Sequence, residues 1–275
     1  MRSSARERFQ QNRAAVAGTV VLILVTGAAA FAPWLAPHDP LAIDLANNFQ
    51  GASWAHPLGT DHLGRDTVTR LLYGGRVSLL LSLTSVAIAL VIGVAAGLLA
   101  AWHRGWVDAA FVRVVDVALS FPDMLLAIAV VAMLGPGHIS TIVAVSVLAV
   151  PTFARITRAS ALSAVSRDFV LASRAAGAST SWMLTRHVLP MCISPIVAHG
   201  TVTLGTAILI ASGLSFLGLG VQPPAAEWGA MLSRGRDLIR TAPIGAFAPG
   251  IAITLVALSF SLAGDGLRDA LHPKE

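Results

Sequence analysis

Three stretches of this chain, residues 14–37, 77–102 and 241–264, hold no charged side chain. Two more apolar stretches, about 139–157 and 191–217, and one that ends near Leu134 complete a series of six. A bilayer core takes about 20 apolar residues wound as a helix, because inside it the backbone has no water to bond. Each stretch is therefore expected to be a helical span, and the fold class all-α: a polytopic membrane protein with six transmembrane helices. Only 12% of the residues are charged, about half the share of a soluble domain. The apolar run behind the basic N-terminus is too long for a signal-peptide core and no small-residue cleavage site follows it, so span one is expected to stay as an anchor.

The positive charges set the expected orientation. With both termini inside, 13 Lys and Arg residues fall on the inner face: four in the N-terminal arm, two in 103–113, five in the loop before Pro190 and two in the tail. Six fall outside, three in 38–76 and three in 221–240. Positive residues gather on the cytoplasmic side of membrane proteins, so this bias places both ends in the cytoplasm. The six outer ones run against the rule and are expected on structured surfaces that meet a partner. The net charge of +5 is explained by orientation rather than by nucleic acid, because the basic residues sit between apolar runs without interleaved aromatics. The chain is expected to divide into 1–76 (arm, first span, external loop) and 77–275 (a core of five helices), with a cytoplasmic loop at about 158–190.

That loop carries Arg155, Arg158, Arg167, Arg174 and Arg186 in and around it. A short helix is expected over 167–176, with Ser166 as N-cap, Asp168 at the positive end of the dipole and Gly177 at C′. Phe169, Ala172 and Ala176 share one face, with Ala175 beside it. One aromatic among small residues lets another surface approach closely. A second helix is expected to begin at Ser179 and carry the chain to Pro190.

Other polar positions read more plainly. In 56–66, Asp61 and Asp66 can each bond nearby amides, and Gly59 and Gly64 permit tight turns, so a capped turn is expected. Gly93 and Gly97 have the small-xxx-small spacing of close helix packing. Asp123 follows Pro122, a helix breaker, and is expected to cap span three at headgroup level. His199 is expected to be a neutral imidazole, buried or facing a pore. Asp265, Arg268 and Asp269 stand at spacings that allow pairing on one helix face. His38, His56, His62 and His138 show no recurring ligand spacing and are expected to be scattered loop residues, so no metal site is expected. One cysteine, Cys192, excludes an internal disulfide and any multi-cysteine site.

Five stretches then carry a resemblance. A-S-R-A-A-G (172–177) and H-V-L-P (187–190) resemble the EAA loop of ABC importer permeases, whose pattern is Glu-Ala-Ala, three residues, Gly, nine residues, Ile-x-Leu-Pro. Leu171 stands where that pattern has glutamate, Ser173 replaces the second alanine and His187 the isoleucine. G-T-D-H-L-G-R-D (59–66), R-V-V-D-V-A-L-S-F-P (113–122), Q-P-P-A-A-E-W-G (222–229) and G-D-G-L-R-D-A-L-H-P-K-E (264–275, with His272 where aspartate is common) resemble the C-type permease of dipeptide, oligopeptide and nickel importers. The resemblance implies the type I importer fold in a bacterial inner membrane. It implies a related B-type permease, two cytoplasmic ATPases that hold the ATP and magnesium, and an extracytoplasmic solute-binding protein. This chain itself would bind no cofactor. ATPase coupling would fall to Asp168, Phe169, Ala172, Ser173, Ala176, Gly177, Leu189 and Pro190. Gly59, Thr60, Asp61, Gly64, Arg65 and Asp66 would be the external signature, and Asp265, Arg268 and Asp269 part of the cytoplasmic tail. Short peptides are the expected cargo, with nickel or another small solute as the alternative.

An enzyme is not expected. No phosphate loop and no H-E-x-x-H occur. A Ser215–His199 pair would lie roughly 24 Å apart along one helix. A secondary transporter working without ATPases would need intramembrane charges or an inverted repeat, and neither stands out.

Overall fold

The computed structural model describes residues 5–271; Arg2, His272 and Lys274 lie outside them. Within that range every regular element is helical, apart from one bridge between Thr60 and Asp66. The short α1 (Ala5–Gln11) leads into α2 (Arg13–Ala30), which opens where Asn12 accepts the Ala15 amide at 3.1 Å. One turn, α3 (Ala32–Leu35), ends this first span. An irregular strap over 36–66 then runs to α4 (Thr67–His103).

Helix α4 starts at Thr67, well before the uncharged stretch at 77 and across the division expected at 76/77. The early turns carry Arg70, which only intramolecular partners make compatible with burial: it is 2% exposed and donates to the Pro40 carbonyl at 2.9 Å. Span three is not one straight helix. It consists of α5 (Gly105–Ser120) and α6 (Asp123–Leu134), bent by 94° at Phe121–Pro122. Proline has no amide to donate and disfavours a helical residue before it, so the break falls where Pro122 puts it. At about 18 Å, α6 alone is shorter than a bilayer core.

The chain continues through α7 (His138–Val165), α8 (Asp168–Ala175), α9 (Thr180–Met183), a π-helical turn at Leu184–Val188, α10 (Leu189–Phe216), α11 (Trp228–Asp237) and α12 (Ile244–Leu271). Among the described residues five helical stretches are long and apolar enough to cross a membrane, or six counting the bent α5–α6 pair.

The core forms where α4 lies along α7. A Cβ added at Gly93 would stand 2.6 Å from the Phe153 Cβ, and one at Gly97 2.5 Å from the Ala154 carbonyl oxygen, so the backbones touch there. Val86, Ala89, Phe153, Val188 and Cys192 fill the space between α4, α7 and α10. α12 packs on α10 and α11, and α2 rides on α12 through Gly18, opposite Ser259. Only Ala15, Gly18 and Ala29 of α2 are buried, so span one is peripheral.

Candidate functional site

Two polar regions stand out from the helical core, the bend between α7 and α10 and the strap before α4. The bend contains the short helix expected there, with a corrected start. Ser166 is not its N-cap: its hydroxyl turns back to donate to the Ser163 carbonyl at 3.0 Å, and Arg167, in an extended conformation, opens α8. The other end is as expected. Gly177 takes φ +81°, and its amide and that of Ala178 donate to Arg174 and Ser173 carbonyls, satisfying the last turn. Ser179 caps α9, its hydroxyl accepting the Trp182 amide at 3.4 Å.

On α8 only Val170 is buried, and it fixes the helix to the body. Asp168, Phe169, Ala172, Ala175, Ala176 and Gly177 are exposed. Ser173 is half-buried and donates to the Phe169 carbonyl at 2.9 Å. Leu189 packs against the core, and Pro190 lies exposed in the first turn of α10, so these two sit apart from the α8 face. The π turn just before them has a physical cause. Pro190 cannot bond four residues back and its ring crowds that carbonyl, and a wider turn, with the Leu189 amide on the Leu184 carbonyl, accommodates it.

His187, which stands where the importer pattern has isoleucine, holds the bend together. Its ring meets Phe169 and Trp182 edge-on, at centroid distances of 5.5 and 4.7 Å, and its Nε2 lies 3.2 Å from the Ser173 hydroxyl. The Arg174 guanidinium stacks over Trp102 at 4.8 Å, linking α8 to the end of α4. Arg158 pairs with Asp108 and Arg155 with Asp116, which brace α7 against α5. The basic residues thus support a frame that leaves the small-residue face of α8 open.

The end of the strap, 59–66, turns its polar groups inward. Asp61 accepts the Leu63 amide at 2.8 Å, the Arg65 amide at 3.1 Å and the Arg65 Nε at 2.8 Å, with the Arg70 Nε 3.6 Å away. Burial pushes the Asp61 carboxyl up, but the Arg65 side chain and the two amides outweigh it, and the net shift is downward. Asp66 caps α4 by accepting the Thr69 amide at 2.7 Å. Gly59 and Gly64 both take positive φ. The expected capped turn is therefore present. His38 and His56, expected to be scattered, instead stack on one another at 4.6 Å beside Asp66, drawn together because the strap folds back on the start of α4. Periodic ligand spacing could not reveal a cluster assembled from three separate turns.

Between α5, α6, α7 and α10 lies a cavity of about 250 Å³, lined by Asp123, Thr152, His199 and Thr203 among others. A second, of about 490 Å³, is lined by His199, Ala198, Val202, Asp265 and Arg268. His199 borders both cavities, whose otherwise largely apolar walls carry these few polar side chains from distant parts of the sequence. Asp265, Arg268 and Asp269 are exposed and, among the described residues, form no ion pair, although their spacing allows one. Sequence reasoning also missed Glu227. It is fully buried, caps α11 through the Gly229 and Ala230 amides, and accepts the Ser78 hydroxyl at 2.9 Å. A lone carboxylate before Trp-Gly in an apolar setting was its signal.

Comparison with known proteins adds independent findings. Residues 93–275 match the family of binding-protein-dependent transport system inner membrane components, and residues 1–52 match the N-terminal TM domain of oligopeptide transport permease C. The chain is 43% identical to the di/tripeptide transport system permease protein DppC of Pseudomonas aeruginosa, over 98% of this chain and 90% of that one. It is also 43% identical to the glutathione transport system permease protein GsiD of Pectobacterium atrosepticum, over 97% and 89%. A solved structure of the MetNI methionine ABC transporter in inward-facing conformations shares the fold, with a TM-score of 0.59 and 22% identity over 74% of this chain and 96% of that one.

Proposed function

The chain belongs to the family of binding-protein-dependent transport system inner membrane components, and from that premise we propose that it is the C-type permease of a di- or oligopeptide importer, driven through α8. It forms half of a translocation path with a related B-type permease. Two ATPases, carrying the ATP and magnesium, dock on the cytoplasmic bend, and a solute-binding protein delivers cargo from outside. Both termini face the cytoplasm of a bacterial inner membrane, as the bias of positive charge supports. This chain contributes no catalysis of its own.

One observation carries the coupling role: α8 presents Phe169, Ala172 and Ala176 outward while its inner side is pinned by Val170, His187 and Arg174. A displaced surface must be stiffly joined to the body if its motion is to reach the gate. Here a shift of α8 passes to α4 through Trp102 and to α10 through His187. When the ATPases close on ATP, their preference for that state draws the bend with it and tips the helices toward the outward-open arrangement. Asp123, His199, Asp265 and Arg268, which line the two cavities, offer partners to a peptide's charged ends and amides. Peptide cargo is supported by the two permease relatives, both named for peptide or glutathione transport.

The test is uptake of labelled peptide by the complete transporter with Ala172→Glu or Gly177→Val in this subunit. Glutamate adds bulk and charge to the docking face; valine cannot comfortably hold φ +81°. Both variants are expected to insert normally and lose uptake. Normal transport in both removes α8 from the mechanism.

A further inference from the structure

We propose that His38, His56 and Asp66 form a site for one divalent transition-metal ion of the zinc class, which clips the strap to the start of α4. One ligand atom from each of the three residues can be chosen so that all lie within 4.8 Å of one another. The Asp66 carboxylate reaches the His56 Nδ1 at 3.0 Å through Oδ1 and the His38 Nδ1 at 4.0 Å through Oδ2. Two imidazoles and one carboxylate, with a fourth position left for water, is a donor set that zinc-class ions favour.

A second observation asks for a cation here. The Asp66 side chain is 0% exposed, yet the two arginines nearest in sequence, Arg65 and Arg70, both turn to Asp61. Among the described residues no Lys or Arg nitrogen lies within 4.0 Å of the Asp66 carboxylate; its ionic partners are the two histidines. A buried carboxylate without a countercharge is costly. A divalent ion would supply that charge, and His56 need only carry its proton on Nε2 rather than Nδ1 to become a ligand.

The surroundings hold the donors in place. The Thr69 amide bonds Asp66 Oδ2 at 2.7 Å, and the Thr69 hydroxyl accepts the His38 amide at 3.3 Å. The His56 amide donates to the Ser53 hydroxyl at 3.1 Å, and the Ser53 amide to the His56 carbonyl at 2.9 Å. The first of these bonds orients the carboxylate itself, as an outer-shell partner does at a metal centre; the others fix the backbone that carries the two imidazoles. The His38 side chain is 38% exposed, so an ion and a water reach the site from solvent, whereas Asp66 is closed off behind it.

The experiment uses the full chain, without a histidine tag, in lipid nanodiscs stripped of metal. Zn2+ is titrated in competition with a chromophoric chelator, and Co2+ is added separately to read coordination from its visible bands. The expected result is one Zn2+ per chain and the absorption of four- or five-coordinate Co2+. His38→Ala and His56→Ala should each weaken Zn2+ by more than about tenfold, the scale of merely outer-shell changes, while His62→Ala binds as the parent does. His38→Gln, which keeps the size of the half-exposed side chain, replaces His38→Ala if that variant does not fold. Binding no greater than that of empty nanodiscs, or binding unaltered in the histidine variants, overturns the site.

Discussion

The bend at 166–190 and the strap at 36–66 draw on the same residue types, Gly, Asp, Arg and His, and use them in opposite senses. At the end of the strap the charged groups are spent inside the turn, Asp61 on Arg65 and Asp66 on the Thr69 amide, while Arg70 of α4 reaches back to Pro40. In the bend the polar groups form a frame and the face between them is left bare. Both regions carry a recognisable motif, so a motif alone does not tell whether its residues build a shape or offer a surface. The left-handed glycines show this most directly. A Cβ at Gly64 would stand 1.7 Å from the Asp44 carbonyl oxygen, whereas one at Gly177 would meet nothing within 4 Å.

The largest effect should follow from placing the same substitution at both glycines. Each alanine bears roughly 1–2 kcal/mol for the left-handed backbone, but Gly64→Ala must also displace the Asp44 peptide. Gly64→Ala should lower the yield of monodisperse protein and its thermal midpoint sharply; Gly177→Ala should lower the midpoint slightly. Equal midpoints would erase the distinction between a closed turn and an open one.

Asp61→Asn comes next. Removing one member of a buried ion pair costs about 3–5 kcal/mol, and this case falls toward the low end because the Asp61 side chain is 20% exposed. The acid response gives an independent reading. The folded-state pKa of Asp61 lies below its ordinary value, so its contribution is complete above the unfolded carboxylate pKa of about 3.9 and disappears as pH falls through the lower folded value. The parent protein should lose this stability only below about pH 4, and Asp61→Asn should lack that component of the acid profile. An identical acid profile in the two proteins would count against Asp61 as the centre of the strap.

His187→Ala sharpens the other side of the comparison. Each aromatic pair is worth about 0.5–1.5 kcal/mol beyond its area, too little to unfold the protein but enough to loosen α8. Hydrogen exchange over 168–176 should quicken while the rest of the chain keeps its protection, and peptide uptake should fall several-fold with insertion unchanged. Unchanged exchange over that helix would show that Val170 and the Arg174–Trp102 contact hold it without His187.

What was legible in the sequence divides along the same line. The spans could be read because hydrocarbon tolerates no unpaired charge, and the break at Pro122, the Gly93–Gly97 contact and the Gly177 and Ser179 caps follow from local chemistry. The early start of α4 could not, because Asp66 and Arg70 become compatible with burial only through partners on the strap. The meeting of His38 with His56, the clasp at His187 and the burial of Glu227 share that cause: each depends on residues brought together by the path of the chain rather than by spacing along it. The tail errs in the other direction, since Asp265, Arg268 and Asp269 have the spacing to pair and remain separate.

The smallest effect tests whether α8 reaches α4 as directly as proposed. The Arg174 guanidinium over Trp102 is an exposed cation–π contact, worth about 0.5–1 kcal/mol, so Arg174→Ala should barely alter the thermal midpoint. Its importance would lie in transmission, because the contact joins α8 to the end of α4. Arg174→Ala and Trp102→Leu should each cut the peptide imported per ATP hydrolysed by a modest factor, and the double variant should do no worse than the stronger single one. Two losses that multiply would mean that the residues act through separate routes, and the link from α8 to α4 would have to run through the body of α7 instead.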